Sequence, residues 1–488
     1  MNTVFVSPEV WPFIRVGGLA EVSHDLPLAL GQRGHQVQVV TPKTRLEEEQ
    51  ERLLEDTGIT LTVPVSWREY QAKVFRLALN RQVTIYLVEH RRFFQREGLY
   101  GNAYGDYEDN AERFIFFSRS VLELLLALDR PVDLMHLNDW TTGLIPLYLK
   151  SLYAKRPQFG ATGSLMTVHN LGKQGVFWHY DLPLTGLGWE YFTPQAVEQA
   201  GKLNFLKAGL VYADMISTVS RRYAEEILTP EMGFGLDEVL RQRRQDLVAI
   251  TNGVDYRTWN PADDPNLVAG FDSSDLGPKD LCRADLRRVM GLDARSRRPV
   301  VIFVGRLLDR RGMDIFIPGI EAMLSLDCDL AVMGFGEDHY HYRLKQLAQR
   351  HAGRLAVHLG YEMDLAHKMI GGADILLMPS RYEPCGLHQM HAMRYGTVPV
   401  VRATGGLDET VRDHRPGGEG TGFKFQEHST AALLEALCRA LECRADQDQW
   451  EGVMRRGMAQ DFSWDRAAAR YEEVYLRACR QRRAQGGA

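Results

Sequence analysis

Short apolar runs rich in β-branched residues alternate along this chain with longer stretches whose apolar residues recur at helical spacing. The first run, Thr3–Ser7, is typical of a buried strand, and Leu19–Arg33 has the period of an amphipathic helix. Gly34 is expected to end that helix before the next predicted strand, Val37–Thr41. The pattern therefore predicts a strand–helix–strand unit at the start of the chain.

The same unit recurs in two series. The first series contains further predicted strands at Val83–Val88, Val132–Leu137, Ser164–Val168 and Met215–Val219, and the second contains Pro299–Val304, Leu330–Met333, Leu355–Leu359, Ile375–Met378 and Val398–Val401. Ser220 is a predicted N-cap for the helix Arg221–Leu228. Strands that alternate with helices form parallel sheets covered on both faces. We therefore predict an α/β fold with two doubly wound, Rossmann-like domains.

Length and local composition suggest where these domains begin and end. At 488 residues the chain exceeds the roughly 250–300 residues at which one core usually stops growing. Asn252–Pro278 is rich in Asn, Asp, Gly and Pro, which is typical of a connecting segment. We predict a first domain at 1–245, a linker or hinge at 246–278, a second domain at 279–460 and a C-terminal helix at 461–488 that packs back on the first domain.

Charge and cysteine content narrow the class of protein. A net charge of −5 disfavours a general nucleic-acid binder, so any phosphate recognition must be local. The six cysteines form no C-x-x-C pair, which disfavours a metal knuckle or a redox dithiol and fits a reducing cytoplasm. We expect no signal peptide, because no basic region precedes the apolar N-terminus, and no membrane-spanning run.

Candidate ligand-binding residues follow three strands of the first half, where ligands bind in doubly wound sheets. Gly17-Gly18 precedes the first helix, whose N-terminus can bind phosphate, and Arg15 adds a positive charge; a plain turn is the alternative. Asp139 follows the second of these strands and can hold a sugar hydroxyl, whereas a single histidine such as His136 is more often a buried core residue. His169 and Asn170 follow the third, and such a polar pair can hydrogen-bond a hexose.

The loops after three predicted strands of the second half carry the more specific signals. Arg306 and Arg311 flank a loop that enters a helix, a suitable clamp for a pyrophosphate, although an exposed basic turn is the alternative. Glu383 follows a strand, where its carboxylate can accept hydroxyls of a ribose or hexose. The Gly-rich turns at Gly386 and Gly405-Gly406 leave room for a nucleotide.

Together these segments resemble the bacterial glycogen synthase and plant starch synthase family, over residues 1 to about 475. The segments that carry the resemblance are Glu9–Leu19, Asp109–Phe114, His169-Asn170-Leu171, Asn252-Gly253-Val254-Asp255, Ser380–Gln389 and Thr404–Leu407. The resemblance implies the GT-B architecture, in which two Rossmann-like domains face a central cleft. It also implies a metal-independent transferase without a cofactor, which moves glucose from ADP-glucose to the non-reducing end of an α-1,4-glucan with retention of configuration.

The resemblance also implies roles for individual residues. Arg306 and Arg311 neutralise the leaving diphosphate, Glu383 holds glucosyl or ribose hydroxyls, His169 contacts the donor sugar, and Asp139 orients the sugars. Residues expected to bind ADP-glucose are Arg15, Gly17, Gly18, Asn170, Asn252, Cys385, Gly386, Leu387, Thr404, Gly405 and Gly406. The expected partners are ADP-glucose and glycogen, with no nucleic acid and no membrane, in the cytoplasm; the oligomeric state is left open.

Several positions depart from the family pattern and keep other functions open. Arg15 and Arg311 replace lysines, Asn138 replaces a histidine, and Gly172-Lys173-Gln174 replaces a segment that usually contains an aromatic residue. His391 stands where many related transferases, though not typically this family, carry a second glutamate. One alternative is a related transferase with another donor or acceptor. The other is a weakly active regulator that binds ADP-glucose or glucan.

Overall fold

The structure is a computed structural model and describes residues 1–486, with side chains through residue 484. The strands are β1 Asn2–Val6, β2 Gln36–Pro42, β3 Glu55–Val65, β4 Arg68–Ala78, β5 Val83–Glu89, β6 Gly101–Asn102, β7 Gly105–Asp106, β8 Leu134–Asn138, β9 Gly163–Val168, β10 Val176–Trp178, β11 Glu198–Gln199, β12 Lys202–Asn204, β13 Met215–Thr218, β14 Leu247–Ala249, β15 Val300–Val304, β16 Asp329–Gly334, β17 Leu355–Leu359, β18 Ile375–Met378, β19 Val398–Arg402 and β20 Phe423–Phe425.

Helices connect most of these strands. They are α1 Leu19–Gln32, α2 Glu48–Arg52, α3 Arg91–Phe94, α4 Asn110–Leu128, α5 Ile145–Lys150, α6 Phe205–Tyr212, α7 Arg221–Glu226, α8 Asp237–Gln242, α9 Lys279–Met290, α10 Met313–Ser325, α11 Asp338–Arg350, α12 Met363–Gly372, α13 His388–Arg394, α14 Gly405–Thr410, α15 Thr430–Arg444, α16 Gln447–Met458 and α17 Trp464–Gly486. Short 3₁₀ helices lie at Trp140–Thr142, Pro157–Phe159, His179–Thr185, Trp189–Tyr191 and Asp309–Arg311.

The chain forms two compact units. The first unit comprises Met1–Gly253 together with the chain from Trp464, and the second comprises Val254–Ser463. Leu247–Ala249, within the segment 246–278 that the sequence suggested as a linker, is a strand of the first unit. The rest of that segment after Gly253 belongs to the second unit.

The first unit is built on a nine-stranded sheet with the order β14-β13-β9-β8-β1-β2-β5-β4-β3. The strands from β14 to β5 are parallel, and β4 and β3 extend the sheet as an antiparallel hairpin. The central strands are almost wholly buried because helices cover them, which explains their continuous apolar runs. Helix α17 joins this core, where Tyr471 and Tyr475 are fully buried beside residues of β1 and β2.

The second unit contains a six-stranded parallel sheet with the order β17-β16-β15-β18-β19-β20. Its core is formed by apolar residues of these strands and of α10, α11, α15 and α16. The predicted α/β class with two doubly wound parallel sheets is confirmed. The predicted N-cap is also confirmed, because the Ser220 hydroxyl accepts a hydrogen bond from the Tyr223 N–H.

Candidate active site

In the first unit, three adjacent strands bring three of the predicted motifs to one edge of the sheet. Strands β9, β8 and β1 are neighbours and run parallel. Their carboxyl ends lead into His169-Asn170, Asp139 and the loop before α1, respectively. The sheet thus collects candidate residues that lie far apart in the sequence, as expected at the edge where such folds bind ligands.

The loop before α1 is organised by the buried carboxylate of Glu9. One oxygen accepts hydrogen bonds from the backbone N–H groups of Val16 and Gly17, both at 2.8 Å. The other accepts a hydrogen bond from the Tyr100 hydroxyl, also at 2.8 Å. The Gly17 amide, which the sequence suggested for phosphate binding, therefore donates to a side chain of the same loop.

Arg15 and the two glycines lie on the outer part of this loop. The guanidinium of Arg15 pairs with Glu21 of α1 at 2.6 Å and is one-third exposed. A Cβ on Gly17 would meet no atom within 4 Å, so this glycine leaves open space beside the backbone. Gly18 caps the N-terminus of α1. A ligand at this edge would contact the Arg15–Glu21 ion pair beside the open N-terminus of α1.

Asp139 has a strained backbone and supports the next loop. Its φ of 57° and ψ of −175° form a combination that non-glycine residues rarely adopt, and such strain is enriched at functional sites. Its carboxylate accepts hydrogen bonds from the N–H of His169 at 2.8 Å and of Asn170 at 3.4 Å. Burial raises the pKa of Asp139 to about 7, assisted by the negative charge of Glu9 and opposed by the two N–H donors. The same carboxylate therefore ties the β8 loop to the β9 loop.

His169 is held by Asn138, the residue that departs from the family pattern. Asn138 is buried, and its amide nitrogen donates to the Val6 carbonyl at 2.9 Å. Its amide oxygen consequently faces Nε2 of His169, 2.9 Å away, so Nε2 carries the proton. Burial lowers the pKa of His169 to about 4, and the ring is neutral at pH 7. The lone pair then resides on Nδ1, which can accept a hydrogen bond from a sugar hydroxyl.

His136, by contrast, is a core residue, which was the alternative that the sequence left open. Its ring nitrogens contact the Tyr475 hydroxyl at 2.7 Å and the Thr167 hydroxyl at 2.6 Å. Burial holds its pKa well below the usual value. Asn170 uses its side-chain oxygen within its own turn, where it accepts from the Gly172 N–H at 3.0 Å.

The segment Asp109–Phe114 is connected to the Glu9 loop through Tyr100. Arg113 is fully buried, donates to Asn110 Oδ1 at 2.6 Å, and lies over the Phe94 and Phe114 rings. Asn110 in turn donates to the carbonyl of Tyr100 at 2.8 Å, and Tyr100 is the partner of Glu9. Sequence reasoning missed Tyr100, because nothing distinguishes it from Tyr104 among the glycines at 98–105.

In the second unit, the remaining motifs follow three adjacent strands in the same way. Strands β15, β18 and β19 are neighbours. Their carboxyl ends lead into Gly305–Gly312, Pro379–Leu387 and Ala403–Gly406. Arg306, Arg311, Glu383 and the glycine turns therefore lie at one edge of this sheet.

Glu383 and Arg311 form a direct ion pair at this edge. Glu383 is 5% exposed and also accepts a hydrogen bond from the Ser380 hydroxyl at 3.2 Å. Burial lowers the pKa of Arg311 to about 9, with further lowering from Arg310 and Arg306. The contacting carboxylate favours the charged form, so Arg311 is a cation at neutral pH. Arg306 lies over the Phe335 ring, 5.3 Å from its centroid.

Glycines allow the two loops after β18 and β19 to stack closely. A Cβ on Gly405 would lie 2.1 Å from the Glu383 carbonyl oxygen, and a Cβ on Gly406 would lie 1.9 Å from that of Cys385. The Gly406 N–H donates to the Glu383 carbonyl at 3.0 Å. Gly386 has a φ of 72°, as a tight turn before α13 requires. The glycines thus fix the backbone on either side of Glu383.

Gln389 of α13 connects the loop after β18 with α14, which follows β19. No role was predicted for this side chain. Its amide nitrogen donates to the carbonyls of Cys385 and Gly386 and to the Thr410 hydroxyl, at 3.0–3.1 Å. Cys385 is buried, and Leu387 immediately precedes α13. Thr404 in this unit and Asn252 in the first unit were both predicted to bind ADP-glucose. Each has a buried side-chain oxygen without a hydrogen-bond partner.

His391 belongs to an aromatic stack rather than to this edge of charged groups. Its ring lies 3.8 Å from that of Trp259, and the His367 ring covers the other face of Trp259 at 3.9 Å. His367 and Tyr395 both contact the Asp264 carboxylate at 2.6 Å. The stack anchors the segment after residue 254 to α12 and α13.

Metal-binding clusters and membrane-spanning helices are absent from the described part of the chain. Among the side chains through residue 484, no group of three or more His, Cys, Asp and Glu residues has an arrangement that could hold a metal ion. Within residues 1–486, no helix has the length and apolar character to cross a membrane.

Comparison with known proteins identifies the family. The family model described as starch synthase catalytic domain matches residues 2–242, and that of the glycosyl transferases group 1 matches residues 291–453. A glycogen synthase from Anaeromyxobacter sp. (strain Fw109-5) is 43% identical over 97% of this chain and 99% of its own length. One from Koribacter versatilis (strain Ellin345) is 42% identical over 98% of both chains.

Solved structures agree with these matches. The catalytic domain of Starch Synthase IV from Arabidopsis thaliana, bound to ADP and acarbose, has a TM-score of 0.91 and 31% identity over 98% of this chain and 99% of that one. A sucrose-phosphate synthase from Thermosynechococcus elongatus, at 19% identity and a TM-score of 0.61 over 97% and 98% of the two chains, shares the fold. The chain therefore belongs to the glycogen synthase and starch synthase family of glycosyltransferases.

Proposed function

We propose that this enzyme transfers glucose from ADP-glucose to the non-reducing end of an α-1,4-glucan with retention of configuration. The bond between glucosyl C1 and the diphosphate breaks, C1 bonds to the acceptor hydroxyl oxygen, the hydroxyl proton is released, and ADP leaves. The observation that carries the proposal is the likeness, over 98% of the chain, to a starch synthase bound to ADP and acarbose. The bacterial relatives named glycogen synthase make glycogen the expected acceptor. The cytoplasm stays the predicted location.

The second unit is proposed to bind the donor. Negative charge develops on the diphosphate as its bond to C1 breaks, and a preorganised cation lowers the energy of that state. Arg306 and Arg311 are the candidates because both lie at the sheet edge, and Arg311 is fixed by its contact with Glu383. These two cations supply the charge for which other transferases use a divalent metal. Glu383 then retains one carboxylate oxygen for a hydroxyl of ribose or glucose.

Backbone groups and buried oxygens complete the proposed donor site. The backbone at Gly386-Leu387 and Gly405-Gly406 belongs to the same pair of loops as Glu383, and the glycines, which carry no side chain of their own, are proposed to let it approach the phosphates. The buried Thr404 hydroxyl and Cys385 lie within the same pair of loops. Asn252 of the first unit, whose buried amide oxygen lacks a hydrogen-bond partner, stays a predicted ligand of ADP-glucose.

The first unit is proposed to bind sugar through His169 and Asp139. A neutral His169 with its proton on Nε2 presents Nδ1 as an acceptor for a glucose hydroxyl. Asp139 orients the His169 loop and can hold a second hydroxyl with its remaining lone pairs. Arg15, Gly17, Gly18 and Asn170 stay predicted contacts with the donor or acceptor at the same edge.

The experiment is the incorporation of labelled glucose into glycogen from ADP-glucose or UDP-glucose in the presence of a metal chelator. We expect strong incorporation from ADP-glucose, unchanged by the chelator. Incorporation from neither donor by a protein that still binds ADP would contradict the proposed reaction and favour a different acceptor or a regulatory role. Incorporation from UDP-glucose alone would contradict the donor assignment and implicate Arg15 and Arg311, which replace the family's lysines.

A further inference from the structure

Three exposed aromatic rings form a continuous surface on the first unit, which we call the aromatic surface: Trp178, Tyr180 and Trp189. Their exposed fractions are 62%, 58% and 51%. The Trp178 and Tyr180 rings lie 4.6 Å apart at 68°, and the Tyr180 and Trp189 rings lie 6.4 Å apart at 80°. Contiguous exposed apolar patches of this kind mark binding sites on soluble proteins.

The segment that carries these rings is firmly attached to the unit. Leu182 and Thr185 are fully buried, and the Thr185 carbonyl accepts a hydrogen bond from the Tyr148 hydroxyl at 3.1 Å. Further along, the ammonium group of Lys207 donates to the carbonyls of Pro194 and Glu198 at 2.7 and 2.6 Å. The rings are therefore held in place before any ligand arrives, which reduces the entropy lost on binding.

The aromatic surface begins on a strand whose other side supports the candidate site. Phe177 of β10 packs against Trp140, the residue after Asp139, with 5.7 Å between ring centroids, and against Phe205 at 4.7 Å. Neighbouring residues of a strand point to opposite faces, so Trp178 points outward. The aromatic surface is thus structurally continuous with the β8 loop that carries Asp139.

Charge restricts the ligand that this surface can take. Between Lys173 and Lys202 the chain has no lysine or arginine, and its acidic residues are Asp181, Glu190 and Glu198. A segment without cations disfavours nucleic acid, phosphorylated ligands and anionic membranes, all of which require basic residues. A neutral ligand that is rich in hydroxyl donors and has apolar C–H faces fits both the rings and the carboxylates.

We propose that the aromatic surface binds the α-glucan acceptor outside the catalytic residues, an inference that rests on the proposed function. Glucose rings would stack their C–H faces on Trp178, Tyr180 and Trp189, and Glu190 would accept hydroxyl hydrogen bonds at the rim. Holding a branched polymer at this surface raises the effective concentration of its chain ends near the enzyme. The surface should therefore matter for glycogen more than for short oligosaccharides.

The test compares a Trp178→Ala/Tyr180→Ala/Trp189→Ala variant with the wild type in native gels cast with glycogen. We expect the wild type to be retarded by glycogen and the variant to lose that retardation. We also expect the KM for glycogen to rise about tenfold as the effective concentration falls, with the KM for ADP-glucose unchanged. The triple phenylalanine variant, which keeps the rings, should restore most of the retardation.

Trp67→Ala is the matched control, because Trp67 is also exposed (77%) but lies in the β3–β4 turn of the same unit. It should migrate like the wild type. Equal retardation of the alanine variant and the wild type would overturn the proposal. A wild-type dimer that the alanine substitutions dissociate, seen by sedimentation, would instead assign the surface to a second copy of the chain.

The outcome can be separated from a failure of the proposed function. Gel retardation requires no donor and no turnover, whereas incorporation of label reports the reaction. A wild type that incorporates glucose while the alanine variant binds glycogen normally overturns the aromatic surface alone. A wild type that incorporates no glucose contradicts the proposed function, whatever the gels show.

Discussion

Glu383 and Arg311 contact each other at the end of β18, and their opposite charges fix the geometry that the donor would meet. Burial of the carboxylate beside a guanidinium that is 30% exposed makes the pair sensitive to the loss of either charge. A buried ion pair contributes little net stability but is costly to break from one side. We therefore interpret the pair as a device for positioning rather than for stability.

Replacement of Glu383 by Gln, or of Arg306 by Ala, should lower kcat strongly. Loss of one preorganised electrostatic contact costs about 2–4 kcal/mol of transition-state stabilisation, or a factor of about 30 to 1,000 in rate. Steady-state kinetics with ADP-glucose and glycogen measure this, and thermal melting confirms that the variants are folded. Arg297→Ala removes an exposed arginine of the same unit and should keep the wild-type rate. Unchanged kcat in both site variants would contradict the assignment.

Asn138 fixes the tautomer of His169. Replacement of Asn138 should therefore change the tautomer populations of the His169 ring, which can be measured directly. In Asn138→Ala the Nε2–H of His169 loses its acceptor, so both neutral tautomers become populated. A single net hydrogen bond is worth about 1 kcal/mol, so we expect kcat to fall about fivefold. Nitrogen chemical shifts of the His169 ring report the tautomer. A single Nε2–H tautomer in the variant would show that another group holds the ring.

Single residues of the site differ in how far the sequence predicted them. Glu383, Arg311 and the Gly405-Gly406 turn were predicted, and the structure brings them together, because each lies in the loop after one of the adjacent buried strands β15, β18 and β19. The stack of His391 on Trp259 could not be predicted, since it joins residues 132 positions apart that belong to no shared pattern. Tyr100 was missed for the same reason, as its link to Glu9 depends on a loop conformation.

The paired loops after β18 and β19 depend on glycine at two positions. In Gly406→Ala the new methyl group would lie 1.9 Å from the Cys385 carbonyl oxygen, so the loop that carries Glu383 must shift. Displacement of a catalytic group by a fraction of an ångström to 1 Å can cost about 10- to 100-fold in kcat/KM. We expect that loss for ADP-glucose, measured by initial rates.

Gly160→Ala is the matched control for this substitution. A Cβ there would lie 3.7 Å from the nearest atom, an ordinary contact, and Gly160 precedes the amino end of β9, the opposite end of that strand from His169. It should retain the wild-type kcat/KM. Equal values for Gly406→Ala and Gly160→Ala would show that the loop pairing does not position Glu383.

Among whole elements, buried strands were predicted best. Leu355–Leu359 and Ile375–Met378 have the predicted bounds, because a buried parallel strand is a continuous apolar run. The hairpin β3–β4 was not predicted. Its burial alternates, most of its exposed positions are threonine and charged residues, and Pro64 interrupts the pattern of β3. Such edge strands are specified by their neighbours as much as by their own sequence.

Helix α17 follows the whole second unit in the sequence, but it belongs to the first unit in the structure. Its tyrosines fill the core of the first unit, where Tyr475 contacts His136 of β8. Outside the core, Glu472 pairs with Arg33 at 2.7 Å and contacts His35 at 2.9 Å. The first sheet thus depends on a helix that follows the whole second unit.

Tyr475→Ala should therefore destabilise the first unit. Removal of a fully buried aromatic side chain costs about 3–5 kcal/mol in free energy of unfolding. Urea unfolding followed by circular dichroism measures the loss. Leu476→Ala is the matched control, because Leu476 is half exposed on the same helix and should change the free energy by about 0.5 kcal/mol or less. Equal unfolding midpoints for the two variants would show that α17 is not part of the stabilising core.

The position of α17 also constrains how the protein is made. During synthesis on the ribosome, residues 1–253 emerge first, but Tyr471 and Tyr475 emerge only after the second unit. Until then His136 and the apolar faces of β1 and β2 lack the helix that covers them. Domains usually fold in the order of translation. Here the second unit can complete its core first. Until α17 is made, the first unit exposes apolar strand surface of the kind that chaperones bind.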